Sequence, residues 1–152
     1  MYRTILLAYD GSREARAALR QGADLAVLAS ATVHLLAVVD PGIGESLAED
    51  ASFSNRPELE LNEVRAVLDE GARKLAGLGL QARTHLAAGR AVEEIWRVAR
   101  EVGADLIVVG HREQSSFARW WRGSVGASLL SRAPCSVLVS VSNDAAPPQR
   151  AA

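Results

Sequence analysis

Thr4-Ile5-Leu6-Leu7-Ala8-Tyr9, followed at once by Asp10-Gly11-Ser12, is the stretch that decides the fold. A short apolar, partly β-branched run without alternation reads as a strand buried on both faces, and Asp-Gly-Ser closes it as a turn. A helix follows. Ser12 is its N-cap and Glu14 lies in its first turn, while Ala15, Ala18, Leu19, Ala26 and Ala29 form a small-residue face suited to close packing on a sheet.

The same strand-turn-helix order recurs outward from there. Thr32-Val33-His34-Leu35-Leu36-Ala37-Val38-Val39 is a second buried strand, stopped by Asp40-Pro41-Gly42. Pro57 opens a helix with Leu61, Val64, Leu68, Ala72 and Leu75 on one side, ended by Gly77-Leu78-Gly79. Leu80 to Ala87 alternates more than the other strands and reads as a sheet edge. After Gly89 a helix carries Ala91, Ile95, Val98 and Val102 inward and closes at Gly103. Leu106-Ile107-Val108-Val109 ends at Gly110, a last short helix runs from Gly123-Ser124 through Ala133-Pro134, and Ser136 to Val141 is the fifth strand. Strands alternating with helices pair in parallel through right-handed crossovers, and apolar strands need cover on both faces. The expected fold is α/β, a doubly wound, Rossmann-like five-stranded parallel sheet with helices on both faces.

A chain of 152 residues is one domain's worth, here expected over 1–142, with a disordered tail at 143–152 and a mobile loop from Gly44 to Asn55. Hydrophobic residues make up 49% and charged residues 23%, which excludes disordered and fibrous classes. Seventeen basic against eighteen acidic side chains leave no global field to draw nucleic acid or an anionic membrane. Cys135 is the one cysteine, the start Met1-Tyr2-Arg3-Thr4 shows no signal-peptide pattern, and no apolar run reaches the ~20 residues of a membrane span. The expected location is cytoplasmic.

In a doubly wound sheet, ligands bind outside the carboxyl ends of the strands, which directs attention to Asp10-Gly11, Asp40-Pro41-Gly42, Ala88-Gly89 and Gly110-His111-Arg112. Gly110 to Ser124 has two readings. A glycine leaving a strand admits a ligand to the backbone and Gly-Ser opening a helix aims N–H groups at an anion, or the glycines simply turn the chain and Ser124 caps a helix. Arg112, Arg119 and Arg122 favour the anion. Asp10 is a ribose acceptor or the acceptor of an Asx-turn. His34, His85 and His111 lie on different elements without ligand spacing, and Cys135 has no Cys-x-x-Cys partner, so no metal site is expected. No Gly-x-Ser-x-Gly elbow is present, and no catalytic residue is assigned. Trp120-Trp121 is read as packing its own segment onto the domain.

Ile5-Leu6-Leu7-Ala8-Tyr9-Asp10-Gly11-Ser12, Ala104-Asp105-Leu106-Ile107-Val108-Val109-Gly110, and Gly123-Ser124 followed by Ala133-Pro134-Cys135-Ser136-Val137-Leu138-Val139 together resemble the universal stress protein family over residues 2–141. The resemblance implies strand order 3-2-1-4-5, a cytoplasmic stress-response protein and a homodimer. Members that bind ATP share Gly-x2-Gly-x9-Gly-[Ser/Thr], on which Gly110, Gly123 and Ser124 take the first, third and last places while Glu113 takes the second. By that resemblance Ala8 and Val38 line an adenine pocket, Val109 adjoins it, Asp10 contacts ribose or adenine, and Ser124-Val125 contact phosphate. The implied cofactor is ATP or another adenine nucleotide, with Mg2+. Glu113 puts bulk and negative charge where a glycine would offer backbone, and two unit charges ~4 Å apart at an effective dielectric of ~20 repel by about 4 kcal/mol. Two rival readings stand beside the nucleotide module: a dimer that binds no nucleotide and acts through protein partners, and a slow ATPase or phosphotransfer protein. The homodimer is expected through the last strand, Ser136 to Val141, whose apolar edge invites pairing with its own copy.

Overall fold

A computed structural model describes residues 1–40, 56–111 and 130–141. The expected loop at 44–55, the start of the last short helix and the tail at 143–152 lie outside the described residues. In chain order the described elements are β1 (Thr4–Ala8), α1 (Arg13–Ala29), β2 (Thr32–Val39), α2 (Arg56–Gly77), β3 (Ala82–Ala88), α3 (Ala91–Val102), β4 (Leu106–Gly110) and β5 (Ser136–Ser140). The strands form one parallel sheet of order β3-β2-β1-β4-β5.

The residues of β1 explain this arrangement. Ile5, Leu7 and Tyr9 point into a layer covered by α1 and α2, while Leu6 and Ala8 point into a second layer covered by α3. Ile5 and Leu6 are both fully buried, so neither face of this strand touches water. Each such side chain contributes roughly 1.5–3 kcal/mol of burial, which only cover on both faces can supply. Ile107 and Val109 of β4 and Leu36 of β2 extend the α3-side layer, and Val108 and Leu35 extend the other.

Local chemistry sets the helix ends. Ser12 caps α1, its Oγ accepting from the Ala15 N–H at 3.1 Å. At the other end Ser30 adopts a left-handed backbone, φ 51°, and its N–H and that of Ala31 close onto Val27 and Ala26 carbonyls. The sheet-facing side of α1 is Ala15, Ala18, Leu19, Gly22, Ala23 and Ala26. Ala29, expected on that face, is only half-buried because it falls in the terminal turn that unwinds at Ser30. Gly22 lies over Leu7 and Val108, where a Cβ would run into the Leu7 side chain.

Three further expectations shift. β3 begins at Ala82 instead of Leu80, because the Leu80 N–H is taken by the Leu75 carbonyl in the turn that ends α2. The buried side of α3 is broader than a single stripe: Val92, Trp96 and Ala99 join Ile95 and Val98, whereas Ala91 and Val102 are half-buried. β5 ends at Ser140, leaving Val141 exposed beyond it. No helix among the described residues is long and apolar enough to cross a membrane.

At the amino ends of the strands Asp105 ties β4 to β1. Its carboxylate accepts from the Arg3 N–H at 2.8 Å and the Thr4 N–H at 3.0 Å. Burial pushes this carboxyl up, but the backbone N–H groups of Arg3, Thr4 and Asp105 itself, with the nearby N-terminal charge, outweigh it and hold the group below the usual carboxylate range. A depressed carboxyl stabilises the fold above its unfolded value of ~3.9 and loses that contribution as pH falls through the folded value. Asp105→Ala is expected to lower stability by about 1–2 kcal/mol at neutral pH and Asp105→Asn by less, as read by urea denaturation. Equal stability of wild type and Asp105→Ala at pH ~7 would show that the staple contributes nothing.

Candidate functional site

The chain leaves β1 toward β2 and β3 on one side, then returns to place β4 on the other side of β1. The order therefore reverses between β1 and β4. α1 packs on one face of the sheet and α3 on the other, and in sheets of this type the crevice outside the carboxyl ends at such a reversal is where ligands bind. Asp10 follows β1, Gly110 is the last residue of β4, and Val38 lies near the end of the neighbouring β2.

Asp10 is exposed, and its Oδ1 accepts from the Ser12 N–H at 2.9 Å. The Asx-turn of the sequence reading is thus present. It carries the chain through Gly11, at φ +75°, and delivers Ser12 to the cap of α1. A carboxylate has two oxygens and about four lone-pair sites, so this turn leaves acceptor capacity for a ligand hydroxyl.

Gly110 has a packing reason as well. A Cβ there would stand 2.6 Å from the carbonyl carbon and oxygen of Glu14 and 2.7 Å from the Ala15 nitrogen. The first turn of α1 rests directly on the end of β4, and only a residue without a side chain permits that approach. The contact brings the amino end of α1 to the crevice.

Ala8 and Val38 are half-buried members of the α3-side layer at the strand ends, and Val109 of the same layer is 3% exposed. Ala8 and Val38 form an apolar floor, with Val109 beneath the surface beside it. Arg112, Glu113, Trp120-Trp121, Gly123, Ser124 and Val125 lie outside the described residues.

Two features at this edge escaped the sequence reading. Asp40, read only as part of a turn, accepts from the Ala91 N–H at 3.4 Å. It thereby serves α3, whose own N-cap Arg90 makes no side-chain cap bond. Tyr9, behind the apolar floor, is 3% exposed, and its hydroxyl makes no hydrogen bond of good geometry although Arg16 and Glu70 face it. Burial pushes the Tyr9 phenol up, while the Arg16 guanidinium works against that shift. Arg16 and Glu70 pair at 3.1 Å across α1 and α2, and Lys74 stands 3.7 Å from the same carboxylate oxygen. Nothing in an unaligned sequence joins positions this far apart.

A doubly wound sheet with a carboxylate, a close-approach glycine and an apolar floor at its switch point defines a protein of the Rossmann-like α/β class. The chain belongs to the universal stress protein family, whose family model matches residues 1–140. A universal stress protein of Synechocystis sp. is 34% identical over 142 residues, covering 91% of this chain and 85% of that protein. Among solved structures, a universal stress family protein from Burkholderia pseudomallei is 31% identical with a TM-score of 0.69, covering 91% of this chain and 95% of the other. A universal stress protein in complex with cAMP is 24% identical, TM-score 0.66, over 91% and 96% of the two chains. A family member from Arabidopsis thaliana with AMP bound is 17% identical, TM-score 0.65, over 93% of each.

Gly110→Ala is expected to destabilise the fold by roughly 1–3 kcal/mol, because the methyl group meets helix backbone that has no rotamer to escape into. Thermal unfolding checks this. An unchanged melting temperature would mean that α1 shifts away from β4 without cost.

Proposed function

We propose that this chain is a small binding module that takes an adenine nucleotide at the carboxyl edge of the sheet, where occupancy is read by a protein partner. The observation that carries the proposal is the meeting of Asp10, Gly110 and the Ala8–Val38 floor at the reversal of strand order. The family members solved with cAMP and with AMP support the ligand class.

The chemistry follows from the residue types. Adenine offers an apolar face suited to Ala8 and Val38, with Val109 as backing. A ribose hydroxyl donates to the Asp10 carboxylate, and Gly110, by letting the first turn of α1 close onto β4, sets the amino end of that helix where an anion is favoured. Arg112 supplies positive charge, and the N–H groups of Gly123, Ser124 and Val125 with the Ser124 hydroxyl are the donors for phosphate oxygens. Mg2+ accompanies the triphosphate when the ligand is ATP. No nucleophile or base is assigned, and what is proposed is a binding module.

Glu113 favours a second reading, a universal stress protein that binds no nucleotide and works through protein contacts alone. Thermal melting with ATP and Mg2+ separates the two. At ~100 times the dissociation constant a binder gains ~2.7 kcal/mol of stability. Asp10→Ala is expected to weaken ATP by about tenfold, worth ~1.4 kcal/mol. Glu113→Gly is expected to tighten it, more for ATP than for adenosine, with a gain that shrinks in high salt as screened repulsion should. No melting shift with ATP or adenosine in either wild type or Glu113→Gly transfers the case to the partner-only reading.

The proposed assembly is a homodimer through β5. This strand is at the sheet edge, Val137, Leu138 and Val139 are half-buried, and Val141 just beyond is 58% exposed. An unpaired apolar edge of this kind is a template for a second copy. Light scattering at micromolar concentration is expected to give twice the chain mass, and Val141→Lys to shift it toward the monomer without lowering monomer stability. A monomer in the wild type overturns the assembly.

A further inference from the structure

His34 on β2 and His85 on β3 meet, with Nδ1 of His34 2.9 Å from Nε2 of His85. The ring planes are inclined by 23° and the ring centres are 5.2 Å apart, close to the nitrogen separation plus two ring radii. The two nitrogens therefore lie between the ring centres, and the contact is an edge-on N–H···N hydrogen bond instead of a face-to-face stack. Such a bond needs one donor and one acceptor. An imidazolium carries N–H at both nitrogens, so two protonated rings have no acceptor to offer and repel as well.

The surroundings sharpen this constraint. His34 is 5% exposed, and burial together with the charges of His85 and Arg83 holds its imidazole below the ordinary value. Arg83 is its register partner across the strands, and β1 places Leu6 on its other side. On this face of the sheet α3 turns Val92, Ile95, Trp96, Val98 and Ala99 inward, while its Arg97 pairs with Glu94 and Glu101 and Arg90 pairs with Glu93. Among the described residues the charged groups acting on His34 are thus His85 and Arg83, and both oppose a proton. No group of three His, Cys, Asp or Glu suited to a metal occurs among the described residues, so the ligand this two-nitrogen contact suits is a proton.

We propose that His34 and His85 form a proton-operated latch that fastens edge strand β3 to β2 at neutral pH and releases it as pH falls. The first proton is shared within the hydrogen bond, and the second breaks it. β3 is the element that yields, being at the sheet edge with Arg83, Thr84 and Ala88 exposed, whereas β2 is buried between neighbours. The sign follows from linkage. A histidine whose proton affinity is lowered by folding contributes stability above its unfolded value of ~6.5, and that contribution is lost as pH falls through the folded value. Release reaches the strand ends, since Val38 pairs with Ala87, Val39 with Ala88, and the Gly89 N–H bonds the Val39 carbonyl at 2.9 Å. The latch does not depend on nucleotide binding.

Hydrogen exchange on the full chain at pH ~7.5 and ~5, corrected for intrinsic rates, tests it. The β3 amides between Thr84 and Ala87 that bond to β2 are expected to lose protection by about tenfold or more at the lower pH while Leu6 and Val108 keep theirs. In His85→Gln, which keeps a hydrogen-bonding side chain that cannot charge, that pH dependence is expected to disappear. Nitrogen NMR of the imidazoles in the wild type provides a readout that needs no variant: complementary tautomers at neutral pH and a His34 titration below that of a free histidine peptide. The latch is overturned by β3 protection independent of pH, by the same loss in His85→Gln, by parallel loss in β1 and β4, or by two rings titrating as independent free imidazoles.

Discussion

β1 has no polar face, and the rest of the molecule is arranged around that fact. Ile5 and Leu7 fill one layer while Leu6 fills the other, so the strand must lie inside a sheet with cover above and below. A central strand of this kind needs partners on both sides, which β2 and β4 supply in parallel. Parallel pairing demands long crossovers, and the helices that make them become the cover. The crevice at the carboxyl ends is a consequence of the same requirement: the chain must cross β1 to complete the sheet, and where it crosses, the helices diverge.

The residues at that crevice carry structural demands and, in the proposed function, binding ones as well. Asp10 turns the chain into α1 and retains acceptor capacity, and Gly110 lets the first turn of α1 sit on β4. A choice between turn and ligand contact is therefore not forced by the geometry. Because the turn positions the helix and the helix terminus faces the crevice, the structural role is compatible with the proposed binding one. Asp40, spent on the amino end of α3, shows a carboxylate at a neighbouring strand end with a structural partner.

The histidine pair lies on the same face of β2 as Val38 and is separated from it by Leu36. In one sheet, then, the apolar floor of the proposed site and a proton-sensitive contact share a strand. The stability of the β3 edge is set less by its own sequence, which is half-exposed along much of its length, than by what β2 and α2, with α3 on the other face, hold against it.

Strand and helix placement was legible because it depends on local pattern: uninterrupted apolar runs at Thr4–Ala8 and Leu106–Val109, a cap at Ser12, stops at Gly77 and Gly103. Asp10 and Gly110 were legible as site candidates for the same reason, since position after a strand is a local property. The strand order came from family resemblance and not from periodicity, which cannot say on which side of β1 a later strand is laid down. Tertiary structure alone decided the meeting of His34 with His85, the service of Asp40 to α3, the contact of Gly110 with the backbone of Glu14, and the facing of Tyr9 by Arg16 and Glu70. Each joins residues far apart in the chain, and what brings them together is the register of neighbouring strands and the depth to which a helix settles on the sheet. Those quantities are fixed by packing the whole core at once, so no single stretch of sequence contains them.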